Sequence, residues 1–167
     1  SAILLEGPPE PERINKIFLE EKPTLFFGVP TLFAILLASD NLPTKDEHDV
    51  RLCISAGEPL PSDLLARWQG TFGVDILDGL GTTEMLHIFV SNRPDEITPG
   101  STGRVVPGYQ IRLINDNNEV CAPGEMGVLE VSGPSSALMY WGQRQKTKDT
   151  FRGSWTRTGD NYSISEE

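Results

Sequence analysis

Between Pro9 and Lys22 the apolar residues Ile14, Ile17 and Phe18 recur at the spacing of one helical face, and a short apolar run, Ala2 to Leu5, precedes them. This pattern predicts a strand followed by an amphipathic helix. Leu25 to Val29 is rich in β-formers and stops at Pro30, after which Leu32 to Ala38 is apolar on every side, as in a buried helix. A charged loop, Ser39 to Asp49, leads into a third strand at Val50 to Ser55. Pro61 or Ser62 can open the next helix, whose Leu64, Leu65, Trp68 and Phe72 share one face and belong to the core. Val74 to Leu77 gives a fourth strand. Strands alternating with helices predict parallel pairing through right-handed crossovers, which gathers the loops after the strands along one ligand-binding edge.

From about Pro94 the texture changes. Pro99-Gly100, Pro107-Gly108 and Pro123-Gly124 separate short runs such as Gln110 to Ile114 and Val128 to Val131, and Asp116-Asn117-Asn118 signals a turn. The expectation is an α/β fold: a parallel-sheet βαβ subdomain over residues 1–93, then a smaller antiparallel β region, a partial barrel, over 94–167.

Composition narrows the function classes. A length of 167 residues with 38% hydrophobic content can bury one sizeable core or two small ones. The net charge of -10 opposes a broad nucleic-acid or anionic-membrane surface, so an anionic ligand must be met locally, by backbone N–H groups or a metal. Cys53 and Cys121 stand at no metal-ligand spacing and suggest no disulfide framework, which points to a reducing, cytoplasmic setting. No apolar stretch reaches about 18 residues, and Ser1 to Glu10 lacks the features of a signal peptide. Both termini read as cuts through a longer chain.

Three segments could carry chemistry. Asp78-Gly79-Leu80-Gly81-Thr82-Thr83-Glu84, placed directly after the fourth strand, offers close backbone approach at its glycines, a hydroxyl at Thr83 and a hard oxygen at Glu84 suited to Mg²⁺. Alone, such a turn is more often the ordinary start of a helix than a nucleotide site. Ser55-Ala56-Gly57-Glu58-Pro59-Leu60-Pro61 holds the equivalent place after the third strand, where a plain connection is the simpler reading. Trp155-Thr156-Arg157-Thr158-Gly159-Asp160 ends in a Gly-Asp pair that either forms a turn or presents a carboxylate to a vicinal diol. His48, in the charged loop, reads as solvated, and the acidic cluster Asp46-Glu47-Asp49 as a solvated face. His87 reads equally as a satisfied inner histidine or as a pocket wall.

In this order, the three segments resemble the core motifs of the adenylate-forming superfamily of acyl-CoA ligases, luciferases and adenylation domains. Gly127-Val128-Leu129-Glu130-Val131-Ser132-Gly133-Pro134 and Tyr140-Trp141 match a structural motif of that superfamily. Gly28-Val29-Pro30-Thr31 and Thr83-Glu84-Met85-Leu86-His87-Ile88-Phe89 resemble its benzoate-CoA ligase branch. The resemblance implies that Gly57, Glu58 and Pro59 border an adenine, with Asp78, Gly79 and Leu80 along its other side. Many members carry an aromatic residue at the position of Leu80, so stacking on the base is weaker here. It also implies that Thr83 binds the α-phosphate, Glu84 holds Mg²⁺, Asp160 grips the ribose hydroxyls, and Gly81, His87 and Ile88 face the acyl group.

The activity so implied is that of an AMP-forming acid-thiol ligase using ATP, Mg²⁺, CoA and a small, benzoate-like carboxylic acid. The phosphate loop ending in Pro-Lys-Gly and the lysine-bearing C-terminal domain of such enzymes have no counterpart in these residues. The expectation is therefore an internal fragment, inactive alone, whose partner is the remainder of its own parent chain. Two other readings stay open: a noncatalytic nucleotide-binding or interaction module, and an adenylation domain feeding a carrier protein.

Overall fold

The computed structural model describes residues 1–165. They form two compact units that interleave along the chain: residues 1–80 with 91–104, and residues 81–90 with 105–165.

In the first unit, helix α1 (Pro11–Glu20) starts on a proline, whose fixed φ suits a first turn, and buries Ile14 and Phe18 one turn apart. Strand β1 (Leu25–Gly28) leads into α2 (Pro30–Leu37), again opened by a proline, with Phe33 and Leu36 fully buried. Strand β2 (Leu52–Ala56) is followed by α3 (Ser62–Phe72), which buries Leu64, Leu65, Trp68 and Phe72 as its periodicity predicts. Gly73 ends α3 in the left-handed region at φ +75°, its N–H returning to Gln69 O at 3.0 Å. Strand β3 (Ile76–Gly81) pairs parallel with β2, and β2 with β1. The core is a chain of edge-to-face and tilted rings: Phe18 on Phe26 at 5.0 Å, Phe33 on Trp68 at 4.8 Å and Trp68 on Phe72 at 4.5 Å between centroids.

Three local expectations are corrected here. Ala2 to Leu5 forms no strand, and Leu4 is 90% exposed. The fourth strand does not stop at Leu77 but continues through Gly81, so Asp78 to Gly81 is strand and not the loop beyond it; Asp78 O accepts from Asn92 N at 2.9 Å. His48 is buried instead of solvated. Its ring stacks on Phe72 at 3.8 Å, its Nε2–H donates to Phe72 O at 3.1 Å, and its Nδ1 accepts from Val50 N–H at 3.1 Å. Those two bonds together define a neutral tautomer with both nitrogens satisfied.

The second unit contains strand β4 (Ile88–Ser91, of which Ile88–Val90 fall in this unit) and a four-stranded antiparallel sheet. That sheet has the order β6-β7-β9-β8, with β6 at Gln110–Ile114, β7 at Met126–Ser132, β8 at Phe151–Arg152 and β9 at Trp155–Ser163. A short two-residue strand, β5 (Arg104–Val105), precedes them, and α4 (Arg144–Thr150) lies between β7 and β8. The β6–β7 connection turns where the Asp-Asn-Asn signal stands: Asn115 Oδ1 accepts from the N–H groups of Asn117 and Glu119, both at 3.0 Å, and Asn118 takes φ +60°. Register places Arg112 and Arg157 opposite Glu130 from either side. Arg112 donates through Nε and Nη2 to Glu130 Oε2 at 2.9 and 2.7 Å, and Arg157 lies 3.8 Å from Oε1. Among the described residues no helix is long and apolar enough to cross a membrane, and both cysteines are free thiols.

Candidate functional site

Parallel pairing sets the ends of β2 and β3 side by side, with Ser55 opposite Asp78 and Ala56 opposite Gly79. The segment Gly57-Glu58-Pro59 therefore leaves β2 beside Gly79 and Leu80 of β3. Gly57 holds φ +90°, which a side chain would strain, while Glu58 and Pro59 are exposed. Asp78 is only 6% exposed and its Oδ1 pairs with no protein group; Ser55 Oγ, at the matching register on β2, is likewise unpaired and fully buried. Burial raises the Asp78 carboxyl to about 6, against the opposing pull of the Gly79 and Leu60 N–H groups. A buried acceptor left unpaired is costly, and it is the kind of group a ligand donor can satisfy.

In the second unit the predicted residues other than Asp160 fall on one tight segment. Gly81 has its backbone so close to His87 that an added Cβ would stand 2.6 Å from His87 O, so no other residue fits without movement. Thr82 then caps a single 3-10 turn, Thr83–Met85, its Oγ1 accepting from Met85 N at 3.3 Å. Thr83 is exposed and Glu84 half-buried. Leu86 follows at φ +72°, a left-handed conformation that a branched side chain resists. This strained residue reverses the chain between the turn and β4.

The Glu84 carboxylate accepts a short hydrogen bond from the Tyr140 hydroxyl. That bond is the main cause holding the Glu84 carboxyl below its usual range; partial burial opposes it, and Thr82 and Lys146 assist. Lys146 Nζ sits 4.0 Å from the centre of the Tyr140 ring, and Ala137 N donates to Glu84 O at 2.7 Å. The loop before α4 is thus fastened to the turn that presents Glu84. The start of β9 is tied to the same loop, Thr156 Oγ1 lying 2.8 Å from Ser136 Oγ. Further along β9, Asp160 is exposed after Gly159, with its N–H on Thr158 Oγ1 at 3.1 Å. His87, also exposed, is held through both ring nitrogens, Nδ1 on Ile88 O at 2.6 Å and Nε2 on the Tyr109 hydroxyl at 3.0 Å; Ile88 is half-buried.

Tyr140 and Tyr109 are the residues that the sequence did not disclose in these roles. Each acts on a group 56 or 22 positions away, beyond any local spacing.

The donor set also bears on metal binding. Among the described residues no three His, Cys, Asp or Glu side chains converge. Glu84 offers a lone hard carboxylate, a donor set that suits Mg²⁺, which commonly takes one or two protein carboxylates and fills its other positions with phosphate oxygens and water.

Residues 1–141 match the family model described as AMP-binding enzyme. The chain is 49% identical over 168 residues to a benzoate–CoA ligase of Thauera aromatica, covering 100% of this chain and 32% of that protein. It is 45% identical to a 4-hydroxybenzoate–CoA/benzoate–CoA ligase of Rhodopseudomonas palustris, covering 97% of this chain and 30% of the relative. Among solved structures, a benzoate CoA ligase from Burkholderia xenovorans superimposes with a TM-score of 0.92 at 47% identity, over 95% of this chain and 32% of that one. An anthranilate CoA ligase in complex with anthranoyl-AMP gives 0.88 at 39% identity, over 93% and 30%. The chain thus spans about a third of the length of the relatives it matches. With most of its residues matched by the family model and its fold shared with these ligases, the chain belongs to the AMP-binding enzyme family.

Proposed function

We propose that this chain is part of an ATP-dependent acid–CoA ligase that activates benzoate or a small ring-substituted benzoate through an acyl-adenylate. The observation that carries the reading is the buried, unpaired Asp78 Oδ1 within β3, followed within six residues by Thr83 and by a Glu84 carboxylate held in its acceptor form. An acceptor without a donor suits the exocyclic amine of adenine, and the names of the relatives at 49% and 45% identity supply the acid.

In this proposal Gly57, Glu58 and Pro59 border the adenine on one side and Asp78, Gly79 and Leu80 on the other. Thr83 donates to the α-phosphate, Asp160 accepts from the ribose hydroxyls, and Gly81, His87 and Ile88 wall the acyl group. Glu84 would hold Mg²⁺, which when bound neutralises phosphate charge that grows in the transition state. A carboxylate oxygen of the acid attacks the α-phosphorus and the bond to pyrophosphate breaks. The CoA sulfur then attacks the acyl carbon as thiolate, its proton passing to solvent, and AMP leaves. Groups that hold the β- and γ-phosphates come from the rest of the parent protein.

The test is acid-dependent exchange of labelled pyrophosphate into ATP, measured on the full-length protein with benzoate, the hydroxybenzoates, hexanoate and octanoate. Exchange with benzoate at least tenfold above octanoate is expected. A preference for octanoate, or no exchange with any aryl acid, overturns the proposal.

A further inference from the structure

His87 is the one wall residue of the proposed acyl site able to make hydrogen bonds in several ways, yet the second unit spends all of that capacity internally. Its Nδ1 lies 2.6 Å from Ile88 O and its Nε2 3.0 Å from the Tyr109 hydroxyl. The Tyr109 hydroxyl is in turn 2.8 Å from Ser135 Oγ, and Ser135 Oγ donates to Met85 O at 2.6 Å. Met85 is completely buried, so the relay ends on a fixed carbonyl. Gly133 makes room for it: a Cβ there would stand 2.2 Å from Tyr109 Cδ1.

The protons in this relay can be counted. Met85 O and Ile88 O can only accept, so Ser135 must spend its single hydroxyl proton on Met85 and His87 must carry a proton on Nδ1. The Tyr109 proton then goes to Ser135, and the contact with His87 closes when Nε2 also donates. Four contacts need four protons; Ser135, Tyr109 and a neutral His87 supply three, and a doubly protonated ring supplies the fourth. If His87 is neutral instead, Tyr109 turns its proton to Nε2 and releases Ser135. In either state no ring nitrogen is free for a ligand.

We infer that Tyr109, backed by Ser135, is a specificity-determining positioning residue that withholds both His87 nitrogens from the acyl group, so that this wall discriminates against acids bearing a ring hydroxyl. The inference rests on the proposed function for the location of the acyl group, and on the relay alone for the state of His87. A ring hydroxyl arriving at this wall would meet carbon, lose its water and gain no partner.

Two measurements on the full-length protein test it. The first is the ratio of kcat/KM for 2-, 3- or 4-hydroxybenzoate to that for benzoate. In Tyr109→Phe one Nε2 is released, and the ratio for at least one isomer should rise about fivefold to tenfold, the worth of one neutral hydrogen bond. The second is the ¹⁵N spectrum of the histidine rings, with the His87 signals assigned by their loss in His87→Gln. Wild type should show a proton held on Nδ1 and a hydrogen-bonded Nε2, and Tyr109→Phe should shift the Nε2 signal alone. A ratio unchanged in Tyr109→Phe overturns the specificity claim. A wild-type His87 signal of a freely exchanging ring, unmoved by Tyr109→Phe, overturns the relay. Absence of aryl-acid activation by wild type overturns the proposed function and the specificity claim with it, and the ring spectrum still judges the relay.

Discussion

The two units hold themselves together by different physics. The interior of the first is a cluster of rings, with Phe18 1% exposed and Phe33, Trp68 and Phe72 fully buried, in contact without formal charge. The sheet of the second has a carboxylate in its interior: the Glu130 side chain, 2% exposed, sits between Arg112 and Arg157, and Arg112 lies 4.2 Å over the Trp155 ring. Packing energy falls off with lost volume, whereas a buried ion is stable only while its partners stay. The same one-residue error should therefore act through a cavity in one unit and through an uncompensated charge in the other.

The largest effect is expected from Trp68→Ala, which removes the ring shared by Phe33 and Phe72. It should cost about 3–5 kcal/mol in urea unfolding of the chain. A loss under about 1 kcal/mol would mean that the first unit does not depend on this packing. Next is Glu130→Ala, expected to cost about 3 kcal/mol, the low end for a broken buried pair because the Arg112 side chain is 34% exposed and regains water. Adding Arg112→Met to that variant should restore part of the loss. If it deepens the loss, Arg112 stabilises mainly through its stack on Trp155 and the comparison needs redrawing.

How far these features were legible in the sequence follows the same division. The helices of the first unit were visible because Leu64, Leu65, Trp68 and Phe72 write their shared face in local spacing. His48 was misread because its neighbours are charged, while its burial is decided by Phe72, 24 residues away. Ala2 to Leu5 was misread because an apolar run does not state whether a partner strand exists. The extension of β3 through Gly81 was hidden since glycines read as loop, although Asn92 fastens the strand at Asp78. In the candidate site, the segment 78–84 stood out by composition and resemblance, but the Tyr140 and Tyr109 contacts depend on folding of the second unit and have no local signature.

The first unit breaks its own rule at Asp78, the one carboxylate in its buried set, and a pH measurement exposes the exception. Its carboxyl is raised from 3.8 to about 6, chiefly by burial. The folded state therefore holds this proton more tightly than the unfolded state, so the stabilisation is complete below about pH 4 and is lost as pH rises through about 6. The loss is about 2–3 kcal/mol. Asp78→Asn, which cannot ionise, should be more stable than wild type at pH 7.5 and no more stable at pH 4, by urea midpoints at both values. A gap independent of pH would show that Asp78 already finds a donor when the site is empty of ligand.

The smallest effect sharpens the comparison most, because it keeps the chemistry and changes only the surroundings. Lys16 and Glu20 on α1 form an ion pair at 3.8 Å with side chains 68% and 62% exposed, whereas Arg112 and Glu130 meet at 2.7 Å with Glu130 buried. On the surface, water screens the attraction and both long side chains give up rotamer freedom to meet, and the order Lys before Glu along a helix is the weaker one. A double-mutant cycle through Lys16→Ala and Glu20→Ala should give a coupling of about 0.3 kcal/mol, and 1 M NaCl, with a screening length of about 3 Å, should remove it. The corresponding cycle through Arg112→Ala and Glu130→Ala should give about 1.5–3 kcal/mol and keep most of it in salt, since two N–H donors converge on one oxygen away from solvent. Equal couplings in the two cycles would mean that burial adds nothing to the Arg112–Glu130 pair, and that register alone, not energy, accounts for its place in the second unit.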